Sequence, residues 1–544
     1  MRTRYWMGAI LLMLLGCGQA STENARPDAN GYSALEALHS EFEALRTLDV
    51  VDGMPDYRPE TLDAQRRALE ALQARLRDID PTDWPVSEQV DYHVVRTKLN
   101  DLEFQHRAVR PWARDPNLYV DLIRRTPYAD VPVEDAAALR EELEAVPRLL
   151  DLAQSNLTSA SAELTGIAIR QLERFDGVGQ GIPAWSRHDA PEGVIGWYRN
   201  LVERLQEDGS EPELASTAEA TLAAVESFRD WLRDEQPGMT EPAGVGLDEY
   251  QWFLHNVRLI PISIDTMREI ADREAHRALS FLTIEYHRNR DLPPLEPART
   301  EEDHARRVRE AEEHIREFVT ENDLMTIPDF MPEEFETDAY WTVRPDNHLH
   351  FWEALTYRDP RNNHVHASIP GHRFDFHIQR RNPNAIRASH RDSGRAEGWA
   401  FYLEEMLLQA GLLDELPRAK ELFYIAIHKR ALRIPAEHKM QTGEFSLADA
   451  IDFFMEHVDL MDEDLARYDL NMYMRRPTAG MSYTIGKNQM EELLAERTHQ
   501  LGDDFHLGRF HDEFLSKGPI PISLIRWEMT GNDEAIRALW SPGD

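Results

Sequence analysis

Two histidines frame the segment His366-Ala367-Ser368-Ile369-Pro370-Gly371-His372, and about 25 residues later comes Glu397-Gly398-Trp399-Ala400-Phe401-Tyr402. Seven of the chain's 22 histidines fall between His348 and His390. Two imidazoles and a carboxylate from a later helix are a donor set for a mononuclear zinc site with an open position. In a hydrolytic site of this kind, a glutamate directly after the first histidine takes the proton from the water at the metal. Here that position is Ala367. The residue types therefore point to a metallohydrolase scaffold that lacks its usual general base.

The spacing sets a condition on the fold. Six residues along a regular helix rotate by about 240°, so His366 and His372 would not share a face. Pro370 removes a backbone donor and Gly371 relaxes the chain, so the helix must bend or end between the two rings. Glu397 opens a helical pattern that runs to about Gly411. Glu404 lies two turns further along the same face, where it could orient a ligating histidine from behind. On spacing alone the competing reading stays open: a polar loop whose histidines bond to their neighbours. Substitute bases near in sequence are Glu404, Asp375, His364 and His377, and spacing aims none of them at a metal-bound water. Tyr483 is a candidate donor to a developing oxyanion, and equally a packed aromatic.

The elements that must position these groups read as helices. Leu69, Leu72, Leu76 and Ile79 recur at three- and four-residue steps, as do Val95, Leu99 and Leu102. Pro81, Pro85, Pro127 and Pro147 are expected to mark boundaries. Short strands are expected at Asp346–Phe351 and Gly518–Ile525. No repeat is evident. The Pro/Gly-rich stretch Pro237–Gly246 is the best internal boundary, dividing residues 32–240 from 241–544, or else a loop inside one domain.

The chain has 544 residues and a net charge of −38, with six lysines against 54 arginines. That balance argues against nucleic acid, which needs clustered cations, and against simple attraction to anionic lipid. An acidic surface fits adaptation to high salt, or simply solvated helix faces. Cys17 is the single cysteine, so no intrachain disulfide can form. Arg2 and Arg4, an apolar run from Met7 to Leu15, and Leu14-Leu15-Gly16-Cys17 compose a secretory signal too short to span a bilayer as a mature helix. Leu-Leu-Gly-Cys resembles the bacterial lipobox, which implies cleavage before Cys17 and lipidation of its thiol; the alternative is a plain signal peptide. Residues 18–31 read as a tether. Gly18, where an aspartate would signal inner-membrane retention, leaves the periplasmic face of the outer membrane or the cell surface as the expected location.

Several stretches, in order, resemble the family called DUF885, bacterial proteins related to zinc metallopeptidases. The histidine segment is similar to its HExxPGHH element, and Glu397-Gly398-Trp399-Ala400-Phe401-Tyr402-Leu403-Glu404 to its EGWAxYxE. Gly246 to Leu254 resembles G-x-x-x-Y-x-x-x-L, Ser482-Tyr483-Thr484-Ile485-Gly486 resembles SYxxG, and Phe510-His511-Asp512 with Gly518-Pro519-Ile520-Pro521 resembles the FHD…G…P ending. The likeness covers roughly residues 35 to 535. It implies that His366, His372 and Glu397 are the metal ligands. It also exposes departures. Ala367 replaces the glutamate, Arg373 the second histidine of a His-His pair, and Pro477-Thr478-Ala479 a Pro-Gly-Gln. On an ungapped alignment, Glu437 and Gln441 stand for an aspartate and a histidine.

By analogy with helical zinc peptidases (the gluzincin type), the resemblance implies a mostly α fold: a long-helix array around a deep cleft, with a minor β element beside the histidines. Three functions follow. The chain is a catalytically silent relative, a pseudoenzyme that binds a divalent metal, zinc foremost, and a peptide-like ligand; or it is an active zinc peptidase or amide hydrolase with a substitute base; or it is a metal-free structural lipoprotein. Ala367 and Arg373 favour the first.

Overall fold

The structure, a computed structural model, describes residues 31–51, 53–174, 193–335, 341 and 348–540. Cys17, the signal and most of the tether lie outside the described residues. The chain forms helix after helix: α1 (Tyr32–Arg46), α2 (Pro59–Arg77), α3 (Val86–Phe104), α4 (Ala136–Asn156), α5 (Ala162–Glu173), α6 (Gly193–Asp208) and α7 (Pro212–Glu235). Beyond the 237–246 stretch come α8 (Leu247–Asn256), α9 (Ile264–Arg288), α10 (Glu301–Glu321), α11 (Arg361–Ala367), α12 (His372–Gln379) and α13 (Ser393–Ala410). The series continues with α14 (Pro417–Gln441), α15 (Glu463–Arg475), α16 (Met481–Leu501), α17 (Leu507–Ser516) and α18 (Ile522–Thr530); a further helix, Leu447–His457, lies between α14 and α15, and shorter helices and turns fill other connections and follow α18.

The apolar periods become buried faces. Leu69, Leu72 and Leu76 of α2 and Val95 and Leu99 of α3 are buried, Ile79 is buried just past the end of α2, and Leu102 packs against the same core. That core joins α1–α3 to the C-terminal half, from Leu259 to Ile536. Residues between Tyr119 and Leu232, from α4 to α7 and the segment before them, form a second cluster. The 237–246 stretch is fastened through its second half. Arg114 donates to the carbonyls of Pro242 and Gly244, at 2.6 and 3.1 Å, and the Gly246 amide donates to the Gln441 carbonyl at 2.9 Å.

Pro147 differs from its expected role: it lies inside α4 rather than at a boundary. A proline there deprives the carbonyl four residues earlier of its helical donor. That carbonyl, of Leu143, instead accepts from the Thr221 hydroxyl of α7 at 2.9 Å, so the helix continues.

The expected strands are also corrected. Among the described residues the sole sheet is the antiparallel pair β1 (Val50–Val51) and β2 (Met54–Pro55), remote in sequence from the histidines. Residues 346 and 347 lie outside the described residues, and a helix starts at Phe351. The His350 amide donates to Glu353 at 2.9 Å, and the Phe351 amide donates to Asp462 at 2.7 Å, so side-chain caps take the donors a strand would pair. Gly518–Ile525 is a turn leading into α18. Pro519 and Pro521 have no amide to give a sheet, and the apolar run after them is a buried helix, which short apolar runs do not distinguish from strands.

Candidate metal centre

The helix that carries His366 stops one residue later, and the next helix begins at His372. Between them the chain folds back on itself. The amides of Ser368 and Ile369 both donate to the His364 carbonyl, at 2.9 and 3.1 Å, and the Phe374 amide closes the loop onto the Ser368 carbonyl at 3.0 Å. Gly371 is required by contact rather than by handedness: a Cβ there would sit 1.9 Å from the His366 carbonyl oxygen. Trp399 of α13 donates its indole N–H to the Pro370 carbonyl at 3.1 Å, and Arg395 pairs with Asp375, so α12 and its loop are fastened to the helix that carries Glu397. Asp392 caps that helix, accepting from the Arg395 amide at 2.7 Å.

The fold-back satisfies the condition that the spacing imposed. His366 Nε2 and His372 Nε2 lie 3.2 Å apart. Glu397 Oε2 is 3.2 Å from the second and 3.4 Å from the first. Three ligands of a tetrahedral zinc, bonded at about 2.0–2.1 Å, stand about 3.3 Å from one another. The three donors have that triangle. Among the described residues they are the one group of histidine, cysteine and carboxylate side chains so arranged. Burial opposes charge on Glu397, but the facing His372 and His366 hold its carboxyl well below the usual range. Burial likewise opposes charge on His372, and Glu397 outweighs it and raises the ring.

Glu404 stands behind the triangle as the sequence expects. Its Oε1 lies 2.7 Å from His366 Nδ1, the ring nitrogen facing away from the metal position, although the N–H is not aligned with it as in a full hydrogen bond. The carboxylate is fully buried and is fixed by Asn362 at 2.8 Å and by Arg430 at 3.0 Å. A carboxylate behind a ligating imidazole orients the ring and strengthens its basicity.

Three of the four substitute bases are hydrogen-bonded or paired, Glu404 as just described. Asp375 is buried, holding Arg395 and Gln379. His364 lies 3.1 Å from Glu312, and His377 packs edge-on to Phe335. Tyr483 of α16 does join the site, its ring parallel to that of His366 at a centroid separation of 6.0 Å; burial and then the Glu397 charge raise its hydroxyl pKa. What brings α16 so near is a contact between two motif glycines. A Cβ on Gly398 would lie 2.5 Å from the Gly486 backbone, so only hydrogen fits at this helix crossing.

The other motif residues support this frame. Glu437 accepts from the Tyr250 hydroxyl and from the amides of Gly480 and Met481, at 3.0 to 3.1 Å, and so pins the start of α16 to α8. Gln441 donates to the carbonyls of Tyr473 and Met474. Thr478 has a φ of 72°, which a β-branched residue rarely adopts. Its hydroxyl accepts from Arg258 at 3.1 Å.

His511 of α17 braces α13 from the far side, lying 2.7 Å from the Leu324 carbonyl through Nδ1 and 2.9 Å from the Tyr402 hydroxyl through Nε2. With Nδ1–H donating, Nε2 must stay unprotonated to accept from Tyr402. Burial pushes this histidine down to about 4. The unfolded chain gains the proton near pH 6.5, so the stabilisation is complete above that and is lost as pH falls towards 4. The share is about 3 kcal/mol. Urea unfolding should show His511→Gln less stable than the native chain at pH 7, with the gap closing by pH 4; a gap independent of pH refutes the assignment.

Sequence reasoning missed the cationic wall that α14 presents. Lys429, Arg430 and Arg433 are all buried there, paired with Asp469 and Glu404. The available signal was three cations within five residues of a helix that otherwise reads as apolar and buried all round.

The family model described as a bacterial protein of unknown function, DUF885, matches residues 45–281 and 291–529. The fold is similar to that of a presumed lipoprotein of unknown function from Shewanella oneidensis, at 17% identity and a TM-score of 0.67, over 92% of this chain and 98% of that one. It is also similar to a presumed lipoprotein from Colwellia psychrerythraea, at 15% identity and a TM-score of 0.69, over the same shares. At these identities the likeness is one of fold. A search of curated proteins gives no match.

Proposed function

Because the chain belongs to the DUF885 family, we propose that it is a lipid-anchored protein of the bacterial cell envelope that holds one divalent metal and a peptide-like ligand, on a scaffold related to zinc metallopeptidases whose hydrolytic step is impaired. The observation that carries this reading is the triangle of donors at 3.2, 3.2 and 3.4 Å, sized for zinc. His366, His372 and Glu397 would hold the ion. When bound, it would lower the pKa of water at its open position and polarise a carbonyl. The anchor is Cys17. No helix among the described residues is long and apolar enough to cross a membrane, and the two similar structures are presumed lipoproteins.

What remains for the protein's own groups is binding and orientation. Glu404 holds His366 by its far nitrogen. Tyr483 lines the site and offers a hydroxyl to a polarised oxygen. The missing function is proton transfer: Ala367 cannot accept a proton, and Glu404, Asp375 and His364 are already committed to cations, amides or carboxylates. Loss of a general base costs a factor of about 10² to 10⁴. A cleft between the helices is the expected seat of an extended ligand.

Competitive zinc titration tests the metal assignment. The native chain should take one zinc per molecule, and Glu404→Gln should bind it about 10- to 100-fold more weakly while keeping the same stoichiometry. No zinc uptake by the native chain, or equal affinity in the variant, contradicts the assignment.

A further inference from the structure

Beside the candidate metal centre lies a buried guanidinium with donors to spare. Arg433 of α14 is 3% exposed, and its Nη2 donates to Asp469 at 3.1 Å. Its Nε and Nη1 have no hydrogen-bond partner among the described residues. The fully buried Tyr473 hydroxyl is likewise without a partner. Both belong to one place: the Arg433 guanidinium carbon is 5.6 Å from the Tyr473 ring centroid and 4.0 Å from that of Tyr483. Tyr483 in turn stacks on His366. The arginine is thus one aromatic ring away from a metal ligand.

Three buried cations of α14 compete for few direct carboxylate partners at this place. Asp469 serves two cations, Lys429 at 2.7 Å and Arg433 at 3.1 Å, while Arg430 is matched by Glu404. Arg433 thus shares its one directly bonded carboxylate with Lys429, and the Glu397 charge acts on it only from a distance. Burying guanidinium N–H groups and a phenol without partners is costly, and a carboxylate is the group whose two oxygens match a guanidinium edge. A buried guanidinium and phenol with unpartnered donors beside a metal position are arranged to receive an acceptor there.

We propose that Arg433 and Tyr473 form a carboxylate-binding subsite next to the metal centre, so that the peptide-like ligand bears a free carboxylate, at its C-terminus or on an acidic side chain. The subsite deepens the metal-and-peptide reading and rests on it for the nature of the ligand. Arg433 donates to a carboxylate oxygen from Nε or Nη1, Tyr473 donates its hydroxyl, and Tyr483 lies between this group and the metal ligands. The neighbouring bond of the ligand is thereby directed towards the metal.

Calorimetric titration of the full chain, zinc-loaded and zinc-free, tests the subsite. The probes are N-acetyl-alanyl-alanine with a free C-terminus, its C-terminal amide, and N-acetyl-aspartyl amide. At least one of the two free acids should bind tenfold or more tightly than the neutral amide. The preferred acid then identifies the source of the carboxylate. Because a metal can itself take a carboxylate, the decisive arm is Arg433→Gln: it should abolish the preference while the variant still takes up zinc. Tyr473→Phe, which removes only a hydroxyl, should reduce the preference severalfold and guards against misfolding of the arginine variant. Equal binding of acids and amide by the zinc-loaded native chain overturns the subsite and leaves the metal reading standing. A preference that survives in both variants also overturns it. Acid preference in a chain that takes no zinc keeps the subsite and refutes the metal.

Discussion

Substituting glutamate for Ala367 is expected to give the zinc-loaded chain metal-dependent peptide cleavage, about 10² to 10⁴ times faster than the native protein. The expectation follows from what is present and what is missing. The donor triangle is formed, and the ring of His366 is backed by Glu404. A tyrosine lies parallel to that ring. Glu404 is held by Arg430 and Asn362, Asp375 by Arg395 and Gln379, and His364 by Glu312, so none of these three is free to take a proton from water at the metal. Ala367 directly follows His366 at the end of α11 and is only half-buried, so a longer side chain has solvent to grow towards. A peptide library read by mass spectrometry before and after chelation makes the measurement. If the native chain already cleaves at a rate the substitution does not change, the impaired-enzyme reading is wrong.

A second large effect is expected from a residue that ligates nothing. Gly371→Ala should lower zinc affinity by roughly a hundredfold or more, beyond the usual cost of losing a supporting contact. The added Cβ would meet the His366 carbonyl oxygen at 1.9 Å and the Val365 carbonyl oxygen at 2.4 Å. Backbone cannot yield that far without opening the loop, and the loop sets the 3.2 Å between the two imidazole nitrogens. Gly238→Ala is the control, because a Cβ there meets nothing within 4 Å. Zinc titration of both variants decides the point. If Gly371→Ala binds zinc as the native chain does, the fold-back is not what assembles the site.

The helical character was legible because period is local. The faces of α2 and α3 are written in leucines and valines at three- and four-residue steps, and they are buried as expected. The donor triangle was legible only in part. Residue type named His366, His372 and Glu397, but regular geometry set the two rings on different faces. What resolves the conflict is a helix that ends at Ala367 and a second that begins at His372. Pro370 and Gly371 signalled that break without giving its direction. The strand expectations failed where side-chain caps from Glu353 and Asp462, and the prolines at 519 and 521, claimed or removed the donors a sheet needs. Pro147 was misplaced because its compensating partner, Thr221, is 74 residues away. Arg433 stayed hidden for the same reason: its significance depends on which donors remain unpartnered after α14, α15 and α16 have packed, and no local pattern records that.

The central claim is that His366, His372 and Glu397 share one ion. Zinc-edge X-ray absorption on the full chain loaded with one equivalent of zinc addresses it directly. The account predicts a shell of nitrogen and oxygen neighbours at about 2.0–2.1 Å with the scattering signature of two imidazoles, lost in His366→Ala and His372→Ala. A zinc shell unchanged by those substitutions, or no retained zinc, would contradict it.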